Sequence, residues 1–276
     1  TKEQRLRRVV EDVLVGSGFS ETYTPSLVAE DPDPRALTLP IPLSSELRQL
    51  RTTLVSSLVE AARRNVDVGN EHIALFEIAR VYLPLRKEKL PDERWHAGGI
   101  VEGGFPPAKG AVEAIHEALR LEPRFQRAET PLLHPGKTAY VDSGLVGELR
   151  PGLLEGEWGV FELDLQTLFA EVEERARYED VITYPALRQD LAFAVPEAVE
   201  AGELIDAARD AAGPELREMR PFDVYRGEQV GEGRKSIAFR VAFQSPERTL
   251  TDEDAAALRA KIVEALRERF DAELRA

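Results

Sequence analysis

In the C-terminal third of the chain, apolar residues recur at the two-residue spacing of strands in some segments and at the three-to-four-residue spacing of helices in others. Few folds have the resulting order of strands and helices. RQDLAFAVP, MRPFDVYRG and KSIAFRVAFQS place apolar residues at or near every second position, which is typical of strands with one buried face. AGELIDAARDAAG and TLTDEDAAALRAKIVEALRERF repeat at three to four residues, as helices do, and Thr251 with Asp254 predicts an N-cap for the second helix. A last short strand, DAELR, ends the series. The predicted order is strand, helix, strand, strand, helix, strand.

That order is the split βαβ arrangement of ferredoxin-like domains. We therefore predict a ferredoxin-like βαββαβ domain over residues 178–276. The segment EVEERARYED, residues 171–180, is highly charged and is predicted to be a solvated linker. It separates this domain from residues 1–175, which we predict to form a domain of their own.

Residues 1–175 mix helices with strands. Leu6, Val9, Val10, Val13 and Leu14 lie on one helical stripe near the start of the chain. HIALFEIARVYLP alternates as a strand, and WHAGGIVEGG is its predicted antiparallel partner across a charged hairpin. KGAVEAIHEALRL is predicted to be a helix, and TAYVDSGLVGELRP and GVFELDLQTLF are predicted to supply further strands. The whole chain is thus of the α+β class.

The bulk composition narrows the possible functions. The 276 residues contain no cysteine, which excludes disulfides, thiolate zinc sites and cysteine nucleophiles. No apolar run approaches the roughly 18 residues that a membrane helix needs, so we expect no membrane partner and a cytoplasmic location. The net charge of −14 argues against a general nucleic-acid coat, because phosphate affinity comes mainly from Lys and Arg. A local basic face is compatible with this charge.

The stretch RGEQVGEGRKSIAFRV, residues 226–241, has some features of a phosphate-binding loop. Its spacing from Gly227, and the Arg234 that follows Gly233, do not fit the Gly-x-x-x-x-Gly-Lys-Ser/Thr motif. Such a loop must also lead into a helix whose N-terminal amides hold the phosphate, whereas alternating apolar residues follow here. We predict instead a hairpin in which Gly227, Gly231 and Gly233 supply positive φ angles.

The residues point to no metal site and to no catalytic group. The histidines are dispersed, with no pair at helical i, i+4 spacing: His72, His96, His116 and His134. We interpret His116 as a packing residue of a helix. The acids at Asp252, Glu253 and Asp254 suit the first turn of a helix, where carboxylates complement the helix dipole. Gly-x-Ser-x-Gly is absent from the sequence, and Ser143-Gly144 is predicted to lie in a turn.

Basic residues gather at the strands of the predicted ferredoxin-like domain: Arg188, Arg226, Arg234, Lys235, Arg240 and Arg248. On a four-stranded sheet some of them could share one face, and such a face would attract phosphate. The alternative is an ordinary solvated surface whose charges are balanced by acids. The residues alone do not decide between the two.

Four linked motifs resemble one family. RQDLA at Arg188–Ala192, FDVY at Phe222–Tyr225, Lys235-Ser236, and RTLTD at Arg248–Asp252 follow one another as in the anticodon-binding, ferredoxin-like domain of the bacterial phenylalanyl-tRNA synthetase β subunit. Residues 1–175 resemble the catalytic-like module of the same subunit, which has a class II synthetase-like antiparallel sheet with helices. The matching stretches are GFSETYTPSL, LSSELRQLRTTL, LFEIARVY, LLHPGKTA, GLVGELRP and FELDL. Arg150, in GELRP, departs from the histidine that is usual in the family.

The resemblance implies that the first module is catalytically silent. A working class II site needs an arginine after LFEIARVY, where this chain has Leu83, and a second one at the end of a Gly-rich motif, where it has GVFELDLQTLF. Without these clamps, the phosphates of a nucleotide lose their electrostatic stabilisation. The resemblance thus implies no cofactor in this chain, with ATP and Mg used by the holoenzyme. It also implies that the chain is the C-terminal part of a longer subunit.

The resemblance further implies two partners, which are the catalytic α subunit in an (αβ)2 heterotetramer and phenylalanine tRNA. Residues 1–175 are expected to scaffold the α subunit, and residues 178–276 to bind the anticodon stem-loop. The candidate tRNA-binding residues are Arg188, Arg226, Lys235, Arg240 and Arg248. Two alternatives stay open: a free-standing class II-fold amino-acid ligase, which requires ATP–pyrophosphate exchange, and a protein-interaction module with no RNA role.

Overall fold

The computed structural model describes residues 1–42, 44–86, 88–173 and 180–275. By its internal contacts the chain divides into two units, Thr1–Ala176 and Arg177–Ala276. Most of the predicted linker, residues 174–179, lies outside the described residues.

The first unit is a mixed sheet with helices on both faces. Its helices are α1 (Lys2–Gly16), α2 (Val55–Asp67), α3 (Phe105–Leu119) and α4 (Leu165–Glu171). Its strands are β1 (Ser20–Glu21), β2 (Leu27–Val28), β3 (Gln49–Leu50), β4 (Ala74–Leu83), β5 (Asp92–Glu102), β6 (Gln126–Arg127), β7 (Leu133–Val141), β8 (Gly144–Leu149) and β9 (Trp158–Asp164). Among the described residues, seven strands form one sheet in the order β1-β4-β5-β9-β8-β7-β6, and β2 pairs with β3 apart from it.

Every neighbouring pair in the large sheet is antiparallel except β1 with β4. This confirms the predicted antiparallel sheet. The prediction of a strand through GVFELDLQTLF is wrong in its second half, because the strand ends at Asp164 and α4 begins. The Asp164 carboxylate accepts hydrogen bonds from the backbone N–H groups of Gln166 and Thr167, which makes it an N-cap.

Two apolar cores lie on opposite faces of this sheet. One contains Phe76 and Phe161 with residues of α1 and α3, and the other contains Leu54, Leu58 of α2 and Val160. Two glycines of β5 let these side chains lie directly on the backbone. A Cβ added at Gly98 would stand 2.9 Å from the Cβ of Leu54, and one at Gly99 would overlap the Phe161 ring. Both faces of the central strands are therefore filled.

The second unit has the predicted βαββαβ order. Its elements are β10 (Leu187–Pro196), α5 (Ala201–Ala212), β11 (Leu216–Tyr225), β12 (Arg234–Phe243), α6 (Asp252–Phe270) and β13 (Glu273–Arg275). The four strands form one sheet in the order β11-β12-β10-β13. Residues of α5 and α6 pack on one face of this sheet, over Phe193, Phe239 and Phe243. The ferredoxin-like fold is thus confirmed.

The predicted cap of the last helix is present. The Thr251 hydroxyl accepts a hydrogen bond from the Asp254 N–H, and the Asp254 carboxylate accepts one from the Thr251 N–H. These reciprocal bonds form a capping box, which satisfies two backbone donors that the helix itself leaves free. The same helix buries Leu258, Ile262 and Leu266 against the sheet, at the spacing that the sequence indicates.

The Gly-rich stretch joins β11 to β12 as a hairpin, as predicted, and leads into a strand rather than a helix. Gly231 and Gly233 adopt positive φ angles of 84° and 73°. Gly227 differs from the prediction, because its φ of 178° is extended backbone that any residue can adopt. Its role is steric instead, since a Cβ there would overlap the Tyr225 hydroxyl group.

Candidate nucleic-acid interface

The helices of the second unit cover only one face of its sheet, and we call the other face the open face. Residues paired across antiparallel strands point to the same side, so the register assigns the members of this face. Starting from β10 and β12, they are Arg188, Asp190, Ala192, Ala194, Ser236, Ala238, Arg240 and Ala242. On the edge strands they are Glu218, Arg220, Asp223 and Tyr225 of β11, and Glu273 and Arg275 of β13.

The centre of the open face is a floor of small residues. Ala192 and Ala194 of β10 pair with Ala238 and Ser236 of β12. Long polar side chains usually occupy the solvent side of such strands, because they cover the backbone without cost. Here the four side chains are small, and Ala194 and Ser236 are buried, each 5% exposed.

Two aromatic side chains border this floor. Phe222 and Tyr225 lie on edge strand β11, and 53% and 42% of their surfaces are exposed. Because Gly227 has no Cβ, it leaves room for the Tyr225 ring beside it. Exposed aromatic rings beside a flat sheet surface are the usual platform on which proteins stack unpaired nucleobases.

Arginines add positive charge to the same face. Arg188 and Arg220 are exposed, and Arg188 forms no ion pair with any residue that the structure describes. Arg240 pairs with Asp190 at 3.3 Å, and its guanidinium carbon lies 5.3 Å from the centre of the Phe222 ring. Two of the five predicted residues, Arg188 and Arg240, are thus brought together on the open face.

Arg226 and Lys235 meet at a different place. Both contact Glu197, which follows β10: Arg226 donates two hydrogen bonds to Oε1 at 2.9 and 3.0 Å, and Lys235 donates to the backbone carbonyl at 2.7 Å. The hydrogen bonds from Arg226 hold the pKa of the Glu197 carboxyl below its usual value. Lys235 alternates with the open-face residues of β12, and its side chain is only 12% exposed. A phosphate at this place would compete with Glu197 for both cations.

Arg248 lies in the connection before α6, apart from the open face. It forms a bidentate pair with Asp254, with distances of 2.6 and 2.8 Å. These hydrogen bonds and that of the Thr251 N–H lower the pKa of the Asp254 carboxyl well below its usual range. Arg248 therefore supports the capping box of α6, while more than half of its side chain stays exposed.

Sequence reasoning missed the residues that give the open face its shape, namely the two aromatic rings, the small floor and Arg275. One signal was available in the sequence. In RQDLAFAV and SIAFRVAF, alanines occupy four of the eight positions opposite the buried apolar residues, where polar side chains are usual. Such a pattern predicts a strand surface that another molecule or a neighbouring side chain covers.

The first unit holds a buried ion pair with fully satisfied hydrogen bonds. Arg51 and Glu77 are 2% and 1% exposed, with Nη2 and Oε1 3.1 Å apart. Arg51 also donates to the Thr24 hydroxyl at 2.6 Å and to the Arg80 carbonyl at 3.2 Å. These bonds fix the irregular segment before α2 to strand β4, so we assign the pair a structural role.

A second buried carboxylate fixes the start of α2. Glu162 of β9 accepts hydrogen bonds from the Leu54 N–H at 3.1 Å and from the Thr53 hydroxyl, and its Oε1 lies 2.6 Å from Nδ1 of His96. These bonds hold Leu54 over Gly98, so α2 fills the centre of this sheet face. The arrangement is a packed wall rather than a nucleotide pocket.

The other residues noted in the sequence take part in core packing, in backbone hydrogen bonds or in a turn. Leu83 ends β4 and packs against an apolar core, where the resemblance called for an arginine clamp. Arg150 donates hydrogen bonds to the carbonyls of Leu133 and Thr130, at 3.0 and 3.3 Å. His116 is buried in α3, as interpreted. Ser143 lies in the turn between β7 and β8.

Within the described ranges, no group of three or more His, Cys, Asp or Glu side chains is placed to hold a metal ion. None of the helices in the described part of the chain is long and apolar enough to cross a membrane.

Comparisons with known proteins assign each unit separately. Residues 1–173 match the family model described as the phenylalanyl tRNA synthetase beta chain CLM domain, and residues 183–275 match the model described as the ferredoxin-fold anticodon binding domain. A pyrrolysyl tRNA synthetase from Desulfitobacterium hafniense is 17% identical, with a TM-score of 0.48 over 60% of this chain and 64% of that one. The sheet topology and the family models, rather than this distant likeness, establish the fold.

Two curated relatives match from end to end of this chain. The phenylalanine–tRNA ligase beta subunit of a Bacillus cereus strain is 33% identical over 309 aligned positions, and that of Geobacillus kaustophilus is 34% identical over 307. Each alignment covers 100% of this chain and 38% of the relative, so the chain spans little more than a third of their length. On its fold, its two family models and these relatives, the chain belongs to the phenylalanyl-tRNA synthetase beta chain family.

Proposed function

We propose that this chain supports the aminoacylation of phenylalanine tRNA without performing the chemistry itself. Residues 178–276 bind the anticodon stem-loop, and residues 1–175 scaffold the catalytic α subunit in an (αβ)2 assembly. We place this assembly in the cytoplasm, in keeping with a sequence that contains no cysteine.

The open face is the observation that carries the RNA-binding half of the proposal. It combines the exposed rings of Phe222 and Tyr225 with a floor of small residues and with arginines. Single-stranded loops are recognised by stacking their unpaired bases on aromatic rings and on guanidinium planes, while cations contact the phosphates. An anticodon loop offers both groups.

The five predicted cations divide into different roles in this proposal. Arg188 and Arg240 lie beside the aromatic platform and contact the phosphates of a loop stacked there. Arg226, Lys235 and Arg248 lie at the ends of the sheet and contact phosphates farther along the stem. Because Glu197 and Asp254 hold these three cations in the free protein, phosphate binding there exchanges one anion for another.

The first unit fits a scaffold better than a nucleotide site. Leu83 packs where a phosphate clamp is needed, and α2 fills the sheet face. The residues present do not fit ATP, so we propose that ATP and Mg are bound by the α subunit.

The test of this proposal is tRNA binding by the assembled enzyme as a function of salt. Replacing Arg188, Arg226, Lys235, Arg240 and Arg248 by Ala should weaken binding. It should also flatten the dependence of log K on log salt by about 0.7 for each phosphate that the variant no longer neutralises. A control variant with five Ala substitutions at cations of the helix-covered side, Arg209, Arg259, Lys261, Arg267 and Arg269, has the same net charge.

Unchanged binding by the first variant, or equal weakening by both variants, would contradict a specific role for the predicted cations. Copurification with the α subunit, without any tRNA binding by residues 178–276, would support a protein-interaction module instead. ATP–pyrophosphate exchange by the purified chain alone would support a free-standing ligase.

A further inference from the structure

We propose that the first unit carries a binding site for a free amino acid with an apolar side chain. The site is a cleft beside strand β6, which we call the β6 cleft. It is lined by Arg124, Gln126, Tyr140, Val141, Asp142, Gly144 and Leu145. The proposal goes beyond the proposed function, because the site requires neither tRNA nor the α subunit.

The β6 cleft has the size of a small-molecule site and lies on a fixed part of the fold. Its volume of about 470 Å³ falls within the range of about 300–1,000 Å³ that is usual for ligand pockets. Arg124 and Gln126 line the cleft, and Phe125 between them packs against the core that contains Phe161. The ammonium of Lys109 on α3 lies 4.4 Å from the centre of the Phe125 ring. These contacts hold the segment that carries Arg124 and Gln126.

Two side chains give the cleft an apolar wall. Tyr140 of β7 and Leu145 of β8 are paired across the two strands, so they lie side by side on one face of the sheet. Tyr140 is 51% exposed. An aromatic ring that is half exposed inside a cleft offers apolar surface that a ligand can bury.

The charged side chains of the cleft carry one charge of each sign. Arg124 and Asp142 both line it, and the Asp142 carboxylate accepts a hydrogen bond from the backbone N–H of Arg124 at 3.3 Å. Neither side chain forms an ion pair within the described part of the chain. The guanidinium and the carboxylate are therefore both available to a ligand, and the Gln126 amide can donate or accept a further hydrogen bond.

This pair of charges selects the class of ligand. A guanidinium donates two parallel hydrogen bonds to a carboxylate, and a carboxylate accepts hydrogen bonds from an ammonium. Asp142 would repel a phosphate, and Arg124 would repel a simple cation. One end of a peptide carries only one of the two charges, whereas a free amino acid carries both. Its apolar side chain then covers Tyr140 and Leu145. Because the residues of this unit do not fit ATP, the amino acid is bound without being activated.

The experiment is isothermal titration calorimetry of the full chain with L-phenylalanine and L-leucine as probes. Both amino acids should bind saturably. Phenethylamine, which lacks the carboxylate, and phenylpropionate, which lacks the ammonium, should each bind about tenfold more weakly than L-phenylalanine. This comparison uses the wild-type chain, so it does not depend on the folding of a variant.

Variants test the assigned residues. Arg124→Ala and Asp142→Asn should each weaken the binding of L-phenylalanine about tenfold. Asp142→Asn keeps an oxygen for the Arg124 N–H and removes only the charge. Tyr140→Ala should also weaken binding, because the apolar wall is lost. Arg127→Ala is the matched control, since it removes the same charge from a neighbouring position of β6 outside the cleft, and it should bind as the wild type does.

Three results would overturn the proposal. The first is that neither amino acid binds saturably to the wild-type chain. The second is that phenethylamine or phenylpropionate binds as tightly as L-phenylalanine, because the two charges of the cleft would then not select the ligand. The third is that Arg124→Ala weakens binding no more than Arg127→Ala does. Each of these results would leave the proposed role in tRNA binding unchanged, so the two proposals fail separately.

Discussion

At the scale of single residues, Arg51 and Glu77 of the first unit form an ion pair that is almost completely buried. Both side chains are removed from water, and the hydrogen bonds from Thr24 and to the Arg80 carbonyl offset part of that cost. Such a pair is stable only as a whole, because either charge alone would remain buried without compensation.

Glu77→Gln should therefore lower the free energy of unfolding of the first unit by about 3–5 kcal/mol. Unfolding in urea can be followed by tryptophan fluorescence, because Trp95 and Trp158 both lie in this unit. Glu93→Gln is the matched control, since it breaks the exposed pair with Arg80 and should cost no more than about 1 kcal/mol. Equal losses in the two variants would contradict the structural role of the buried pair.

Asp164 gives the first unit a dependence on pH. Burial raises the pKa of its carboxyl, but hydrogen bonds from Arg94, Thr167 and Gln166 outweigh burial and hold the pKa below its usual value. Because the folded pKa lies below the unfolded value of about 3.9, the stabilisation is complete above that pH and is lost as the pH falls through the folded pKa.

Asp164→Asn keeps a capping oxygen but loses the charge that pairs with Arg94. The wild type should be more stable than this variant at neutral pH, and the difference should shrink as the pH falls below about 4. Urea unfolding at several pH values measures it. A difference that stays constant down to acid pH would show that the charge of Asp164 contributes nothing.

At the scale of elements, the strands with regular periods could be predicted and those with irregularities could not. β10 and β12 are central strands with one face on the helices, so their apolar residues alternate strictly. β11 is an edge strand with register shifts after Leu216 and Pro221, and these shifts break the period. The positions of Phe222 and Tyr225 therefore could not be derived from alternation.

Only part of the candidate site could be predicted, because the sequence of one strand does not show which residues it meets on its neighbours. Charge is visible in a sequence, so the basic residues were found, but which of them share a face depends on pairing across strands. Arg188 and Arg240 share the open face, whereas Lys235 alternates to the other side of β12. The contact of Arg275 with Tyr225 joins two edge strands, and nothing in the local sequence of either strand indicates it.

The capping box of α6 is a local feature with a measurable contribution. Thr251→Ala removes the acceptor for the Asp254 N–H and should lower the free energy of unfolding of the second unit by about 1 kcal/mol. Tyrosine fluorescence or circular dichroism in urea can measure it. Thr249→Ala, two residues earlier and outside the box, is the control. A loss no greater than that of the control would show that the box does not stabilise the helix.

At the scale of the whole molecule, the proposed function requires an acidic chain to bind an acidic polymer. The net charge is −14, so long-range attraction to RNA does not come from the total charge. In the proposed function, binding depends on local exchange, in which phosphates replace the carboxylates that now hold Arg226, Lys235 and Arg248. In this proposal Glu197 and Asp254 also compete with unrelated nucleic acids for these cations.

Glu197→Gln should accordingly strengthen tRNA binding by the assembled enzyme and steepen the salt dependence by about 1, because Arg226 and Lys235 lose their competing anion. Glu264→Gln, which removes an exposed acid paired with Arg267 on α6, is the matched control. Unchanged or weaker binding by the Glu197 variant would show that these cations do not meet phosphate.

In the proposed function, the anticodon loop of phenylalanine tRNA lies on the open face. The most direct measurement is photocrosslinking of the assembled enzyme to phenylalanine tRNA that carries 4-thiouridine in its anticodon loop, with the crosslinked peptides identified by mass spectrometry. We expect crosslinks in β11 and β12, at or beside Phe222 and Tyr225, that disappear when unlabelled tRNA is added in excess. Crosslinks confined to residues 1–173 or to the helix-covered side of the second unit would contradict it.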